Sequence, residues 1–269
     1  MAVKHALQFL SPLQLLVSRF VPAGIVFALL LWWRERTALS RVLREEWQSL
    51  CLMGLFGVIS YHVTLNLGVQ LIPAGTASLL MALNPAFIFI PSVWLLEERV
   101  TWTRALGLSL AFVGLFIVVR FARGDRTDFG YLRGMLITLL APISWAVYTV
   151  ISRPLASRHP PPAVTGLATI LGTLPIAATI QPALLQQVLA MPANGWASVA
   201  FLALFATLGG VTTWVAALEH LEASRVGVFI YLVPLWAAVL SHVLLSEPIT
   251  LPLVVGAVVI IGGVMLVNR

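Results

Sequence analysis

Residues 74–120, AGTASLLMALNPAFIFIPSVWLLEERVTWTRALGLSLAFVGLFIVVR, and residues 223–269, ASRVGVFIYLVPLWAAVLSHVLLSEPITLPLVVGAVVIIGGVMLVNR, carry one pattern twice. Set in register without a gap, they pair Pro85 with Pro234, Glu98 with Glu247, Thr101 with Thr250, Gly107 with Gly256 and Gly114 with Gly263. Two apolar helices share Leu and Val by composition alone, but Pro, Glu and spaced Gly in one register are hard to obtain by chance. The register, an offset of 149 positions, extends upstream to pair Gly54 with Ala203 and Pro12 with Pro161. The chain reads as a duplication, with a first repeat at 1–120 and a second at 130–269.

Composition gives the solvent. Of 269 residues, 60% are hydrophobic and 10% charged, against about 45–50% and about 25% in soluble domains. Sixteen basic and ten acidic side chains cannot cover a water-facing surface of this size, so the solvent is lipid. At about 20 apolar residues per span the length allows roughly ten spans and leaves no extramembrane domain. Apolar runs fall near 13–33, 49–70, 74–96, 101–119, 132–152, 162–182, 196–217, 223–245 and 250–267. They are too long for barrel strands and lack alternation, so the fold class is all-α and polytopic.

The same offset carries the helix holding Ser144, Trp145 and Tyr148 to positions before Met1, leaving residues 1–10 as a stub of the first helix. The expectation is a truncated first helix, with an apolar, Trp-containing stretch encoded upstream. With that helix restored each repeat has five spans, and an odd number inverts the second copy, giving a ten-helix architecture of two inverted repeats. Loop charges agree. Arg34, Arg36, Arg41, Arg44, Arg99, Arg104, Arg153, Arg158, Arg225 and Arg269 fall on one side, and Arg120, Arg123, Arg126 and Arg133 on the other. The richer side is expected in the cytoplasm, with the C-terminus there and the chain in the inner (plasma) membrane. Topology therefore explains the net charge of +6, and nucleic acid is not an expected partner. The lone Cys51 supports neither a disulfide nor a thiolate metal cluster.

Ionisable groups inside a bilayer are costly and hence functional candidates. All ten acidic residues lie in loops or near helix ends, which disfavours a midplane carboxylate relay; no His-Glu-x-x-His or aspartyl-protease signature is present, and no enzyme, cofactor or metal is expected. Arg19, about 10 Å along its helix from Pro12, either snorkels to headgroups or turns inward to an anion or helix-end carbonyl. His62 and Asn66 share a helix face beside Tyr61, giving a polar stripe in which His62 is the candidate proton carrier. Asn84, next to Pro85, and Tyr231, near Pro234, mark expected kinks or hinges that would free the carbonyls of Met81 and Ile230. Ser144, Trp145 and Tyr148, with Trp214 from another span, suit the lining of a solute cavity. Glu98 with Thr101 and Glu247 with Thr250 read as helix caps. Gly107 with Gly114 and Gly256 with Gly263, seven apart, read as flat faces for close helix packing.

On Pro12 with Arg19, Pro73-Ala74 leading into Asn84-Pro85, Glu98, Thr101, Gly107 and Gly114, and the second set Ala223, Pro234, Glu247, Thr250, Gly256 and Gly263, the sequence resembles EamA-type members of the drug/metabolite transporter superfamily. The resemblance covers essentially the whole chain. It implies ten helices, cytoplasmic termini and a central cavity near His62, Asn66, Asn84, Trp145, Tyr148, Trp214 and Tyr231. The expected function is secondary transport, as an exporter of small metabolites such as amino acids or aromatic compounds, by alternating access around a midplane cavity. A lipid-active membrane enzyme or a flippase accessory subunit is the alternative. Expected partners are the bilayer and a small-molecule substrate, with protons and a homodimer as further candidates.

Overall fold

In the computed structural model the described residues, 2–34, 36–72, 77, 80–120, 129–233, 236 and 251–267, form helices and turns with no strand among them. A short α1 (Ala2–Ala6) leads to α2 (Pro12–Arg34). Ser11 and Gln14 start α2 with a capping box: the Ser11 N–H donates to Gln14 Oε1 (2.7 Å) and the Gln14 N–H to Ser11 Oγ (3.3 Å). Pro12 occupies the first turn, where a missing N–H loses no helical bond.

Next come α3 (Arg36–Met53), a π-helical stretch (Gly54–Ser60) and α4 (Tyr61–Leu71), which join into a rod whose Leu39–Leu71 portion has 33 residues. That is about 50 Å, well beyond about 30 Å of hydrocarbon. About 10 Å of the excess, residues 39–45, precedes a bend at Glu46 (φ −124°, ψ 17°), where the carboxylate pairs with Arg158 at 2.8 Å and faces His159 Nε2 at 3.6 Å. The bend accounts for an apolar run that begins only near 49.

The first half continues with α5 (Asn84–Leu95) and α6 (Trp102–Arg120). The second half has α7 (Phe129–Ala156), α8 (Pro161–Ala177), α9 (Pro182–Leu189) and α10 (Ala193–Phe201). A second π-helical stretch (Leu202–Val211), α11 (Thr212–His220), α12 (Ala223–Val228), a 3₁₀ turn (Phe229–Tyr231) and α13 (Leu251–Val267) complete it. Among the described residues four helices are long and apolar enough to cross a membrane, and α8 with α9, bent by 111°, makes a fifth if the pair is one span.

Two expectations change in detail. Pro85 does not kink a continuous helix: the chain turns at Ala82–Leu83, Leu83 N–H donating to Leu80 O (3.1 Å), and a new helix starts at Asn84 with Pro85 in its first turn. Proline fits there because its ring has no preceding helical turn to clash with. The apolar run at 162–182 also ends early, at Ala177; Pro182 then opens α9, which turns aside and is tied to α2 by Gln14 Nε2 donating to Gln187 Oε1 (2.6 Å). Pro234, Glu247 and Thr250 lie outside the described residues.

Helices that correspond under the offset of 149 pack against each other. A Cβ added to Gly107 would come within 2.7 Å of Gly263 O, and one on Gly114 within 2.8 Å of Gly256 O. The pairing is crossed, so α6 and α13 run antiparallel with their backbones nearly touching. Likewise α2 and α8 meet where Gly24 faces its own counterpart, Thr173, and Gly166 faces Leu31 and Phe27. The two π-helical stretches occupy matching positions, as do the turn at 82–83 and the 3₁₀ turn at 229–231, within two residues.

At one end of the molecule Trp33, Trp94 and Trp102 are more than 80% exposed, as aromatic residues at a membrane interface would be. Charged residues of the loops gather at the same end. Arg104 pairs with Glu222, Arg225 pairs with Glu222 at 3.1 Å, and Arg158 pairs with Glu46.

Candidate functional site

The polar centre forms where α2 and α4 of the first half meet α7, α11 and the second π-helical stretch. Arg19, 7% exposed, turns inward, so the snorkelling alternative does not describe it. Its Nε donates to Thr207 Oγ1 (2.8 Å), and its Nη1 lies 3.5 Å from His62 Nδ1. Since a guanidinium has no acceptor, the imidazole must accept at Nδ1 and carry its hydrogen on Nε2. Thr207 passes its own hydrogen to Leu202 O (3.0 Å), the i−5 carbonyl exposed by π-helical winding. The guanidinium carbon also stands 5.0 Å from the centre of the Phe20 ring.

From His62 a chain of rings crosses the molecule. His62 touches Phe20 at 4.7 Å and Tyr61 edge-on at 4.6 Å, and Tyr61 lies 5.1 Å from Trp145. Trp145 stacks on Tyr148 at 5.0 Å and meets Trp214 at 5.4 Å. Tyr61, Trp145 and Trp214 keep partial exposure while Tyr148 is buried, so the first three form the wall and Tyr148 supports it from behind. A Cβ at Gly57 would collide with the Tyr148 ring, so the first π-helical stretch needs glycine there. Trp214 Nε1 donates to Thr149 Oγ1 (3.2 Å). Ser144 gives its hydrogen to Leu140 O (2.8 Å), which leaves Ser60 as the donor in the 2.7 Å bond between the two hydroxyls.

Other candidates lie apart. Asn66 donates to Pro12 O (3.4 Å) at the start of α2. Tyr231 is buried in a separate cluster with Ala82, Ala111, Val228 and Ile260. Its hydroxyl and the Asn84 Oδ1 have no hydrogen-bond partner among the described residues. Thr101 Oγ1 accepts from the Arg104 N–H (3.3 Å) and so caps α6. Glu98 caps a helix of the other half: its carboxylate accepts the N–H groups of Ala223 (2.7 Å) and Ser224 (3.3 Å), the first turn of α12. A cavity of about 390 Å³ lies beside it, lined in part by Glu97, Arg99, Arg153 and Glu222.

Thr207, Thr149, Phe20 and Ser60 complete the centre but carry no signal of their own in sequence. A hydroxyl on an apolar helix normally bonds its own backbone, so only tertiary contact distinguishes Thr207 from Thr138, which donates to Gly134 O.

A bundle of apolar helices with a buried cation and a wall of rings between two corresponding halves is an arrangement that suits an integral membrane transporter. The comparisons agree. The EamA-like transporter family matches residues 1–120 and again 132–269, and the chain belongs to that family. An uncharacterized transporter of Archaeoglobus fulgidus is 31% identical, with 100% of this chain and 92% of that protein aligned. A probable terminal-alkyne amino-acid exporter of Streptantibioticus cattleyicolor is 34% identical over 82% of this chain and 72% of its own length. One solved crystal structure superposes with a TM-score of 0.76 at 24% identity, over 98% of this chain and 89% of the other, and so shares the fold.

Proposed function

We propose that this transporter exports small metabolites, such as amino acids or aromatic compounds, by alternating access around the Arg19–Trp145 centre. The observation that carries the reading is the position of that centre. Tyr61 and His62 come from the first half, Trp145 and Trp214 from the second, and both flanking π-helical stretches recur under the offset. Rocking one half against the other would therefore open the ring wall to alternate sides. The antiparallel contacts of α2 with α8 and of α6 with α13 support a reading of 1–120 and 130–269 as inverted repeats. The arginine-rich end, toward which α13 runs, is assigned to the cytoplasm by the positive-inside rule.

The test is flux in proteoliposomes. Protein reconstituted with internal radiolabelled tryptophan or leucine should release label faster than empty vesicles, and unlabelled solute outside should exchange with it. An imposed pH gradient that changes the rate would identify protons as the coupling ion. Retention of both labels at the rate of empty vesicles would overturn the reading for these solutes.

A further inference from the structure

Arg19 is a full charge about 10 Å deep along α2, and its protein partners are neutral. Thr207 and His62 each take one donor, the Phe20 ring faces the group and Tyr61 lies near it, and none of these is an acid. A guanidinium has five donors in a planar fork. The described acidic residues with ion or hydrogen-bond partners are committed elsewhere: Glu46 to Arg158, Glu98 to α12, Glu222 to Arg104 and Arg225, and Glu219 to His220. A buried cation with no anion beside it among the described residues is unfavourable in a medium of low polarity.

We infer that Arg19, held by Thr207 and His62, is the seat of a substrate carboxylate, so the transported solute is an acid or amino acid with an apolar body. The inference rests on the transporter reading and narrows its substrate class. Geometry supplies three reasons. The fork of one guanidinium matches the two oxygens of a carboxylate. His62, already accepting at Nδ1, keeps its Nε2–H as a further donor. Beyond His62 the partly exposed rings of Tyr61, Trp145 and Trp214 offer faces to an aromatic or aliphatic body. None of these groups is a carboxylate, so an organic amine without an acid group finds no counterion in the centre; an amino acid's ammonium would rest on ring faces.

The experiment compares four solutes of similar shape, 3-phenylpropionate, phenylalanine, phenylalaninamide and 2-phenylethylamine, in two assays. One is counterflow in proteoliposomes; the other is the midpoint of thermal unfolding in detergent. The two carboxylates should exchange and raise the midpoint, with the amide and the amine at least about thirtyfold weaker in apparent affinity, as expected for a lost charge-assisted pair. R19Q should abolish the difference between acid and amide, and R19K should restore part of it. Because the solute series is read on the unaltered protein, the result stands even where R19Q folds poorly. Equal exchange and equal shifts for acid and amine would overturn the inference and leave the transporter reading intact. A selective shift by the acids without exchange would uphold the carboxylate seat and count against export of these compounds. No shift and no exchange with any of the four would overturn both.

Discussion

The contact between one of the corresponding helices α2 and α8 and the π-helical stretch of the other half is made twice, and the two versions differ in chemistry. Where α8 meets Gly54–Ser60 the surface is apolar and close: Gly54 and Gly172 face each other so tightly that a Cβ on either would come within 2.7 Å of the other's backbone, and Val58 lies beside them. Where α2 meets Leu202–Val211, the counterpart of Ala168 is Arg19 and that of Val58 is Thr207, and the two are hydrogen-bonded. The frame recurs under the offset of 149, and of these two contacts only one carries a charge. The symmetric frame is what the fold repeats, and the charged copy is the one at the proposed transport centre.

The largest expected effect comes from breaking the apolar copy. Gly54→Leu places four carbons where Gly172 N and Ala168 O already limit even a Cβ to under 3 Å. Overpacking against backbone cannot be relieved by a side-chain rotation and costs about 1–3 kcal/mol or more. Monodisperse yield after detergent extraction should fall severely. Normal yield and an unchanged unfolding midpoint would mean the two backbones are not in contact there.

Breaking the polar copy should spare the fold and reduce transport. Thr207→Val keeps the shape but takes the acceptor from Arg19 Nε, leaving a buried donor unsatisfied at about 1–3 kcal/mol. Flux should drop about tenfold while the protein stays monodisperse. Flux unchanged at every solute concentration would separate the Arg19–Thr207 bond from function.

Much of this frame is legible in sequence, because glycine, proline and capping residues carry their reasons locally. Gly107, Gly114, Gly256 and Gly263 mark the α6–α13 seam, Pro85 marks a discontinuity, and Thr101 marks a helix start. The centre is only half legible. Arg19, His62, Trp145, Tyr148 and Trp214 stand out as polar or aromatic residues in apolar runs. Which way Arg19 points depends on packing from the other half, and Thr207 faces it only because a π-helical stretch advances the chain by more residues per turn than an α-helix. Glu98 illustrates the same limit. Its neighbour Thr101 caps the local helix, while its own carboxylate serves α12, more than a hundred residues away in sequence.

That cap ties the two halves at the charged end and gives an intermediate effect. Glu98→Gln retains one acceptor oxygen but loses the charge at the N-terminus of α12, a change of about 1 kcal/mol. The unfolding midpoint should fall by a few degrees, and cysteine accessibility at Ser224→Cys should rise in the same background. A drop in midpoint without greater accessibility would limit Glu98 to general stability and exclude it from holding the halves together.

The smallest effect should come from Val58→Thr, which installs in the apolar copy the hydroxyl that Thr207 has in the polar one. Val58 is buried, so a bare hydroxyl there would be unfavourable by about 1–3 kcal/mol. Thr207 shows how that penalty is avoided, by donating to the i−5 carbonyl that π-helical winding presents. The equivalent carbonyl for position 58 belongs to Met53, at the end of α3. With that bond made, the unfolding midpoint should move by an amount equivalent to less than about 1 kcal/mol, and flux should match the unaltered protein, because Ala168 stands where the other copy has Arg19 and has no charge to hold. A loss of flux comparable to Thr207→Val would show that both copies of the contact contribute to transport, and that the charge on α2 is not what distinguishes them.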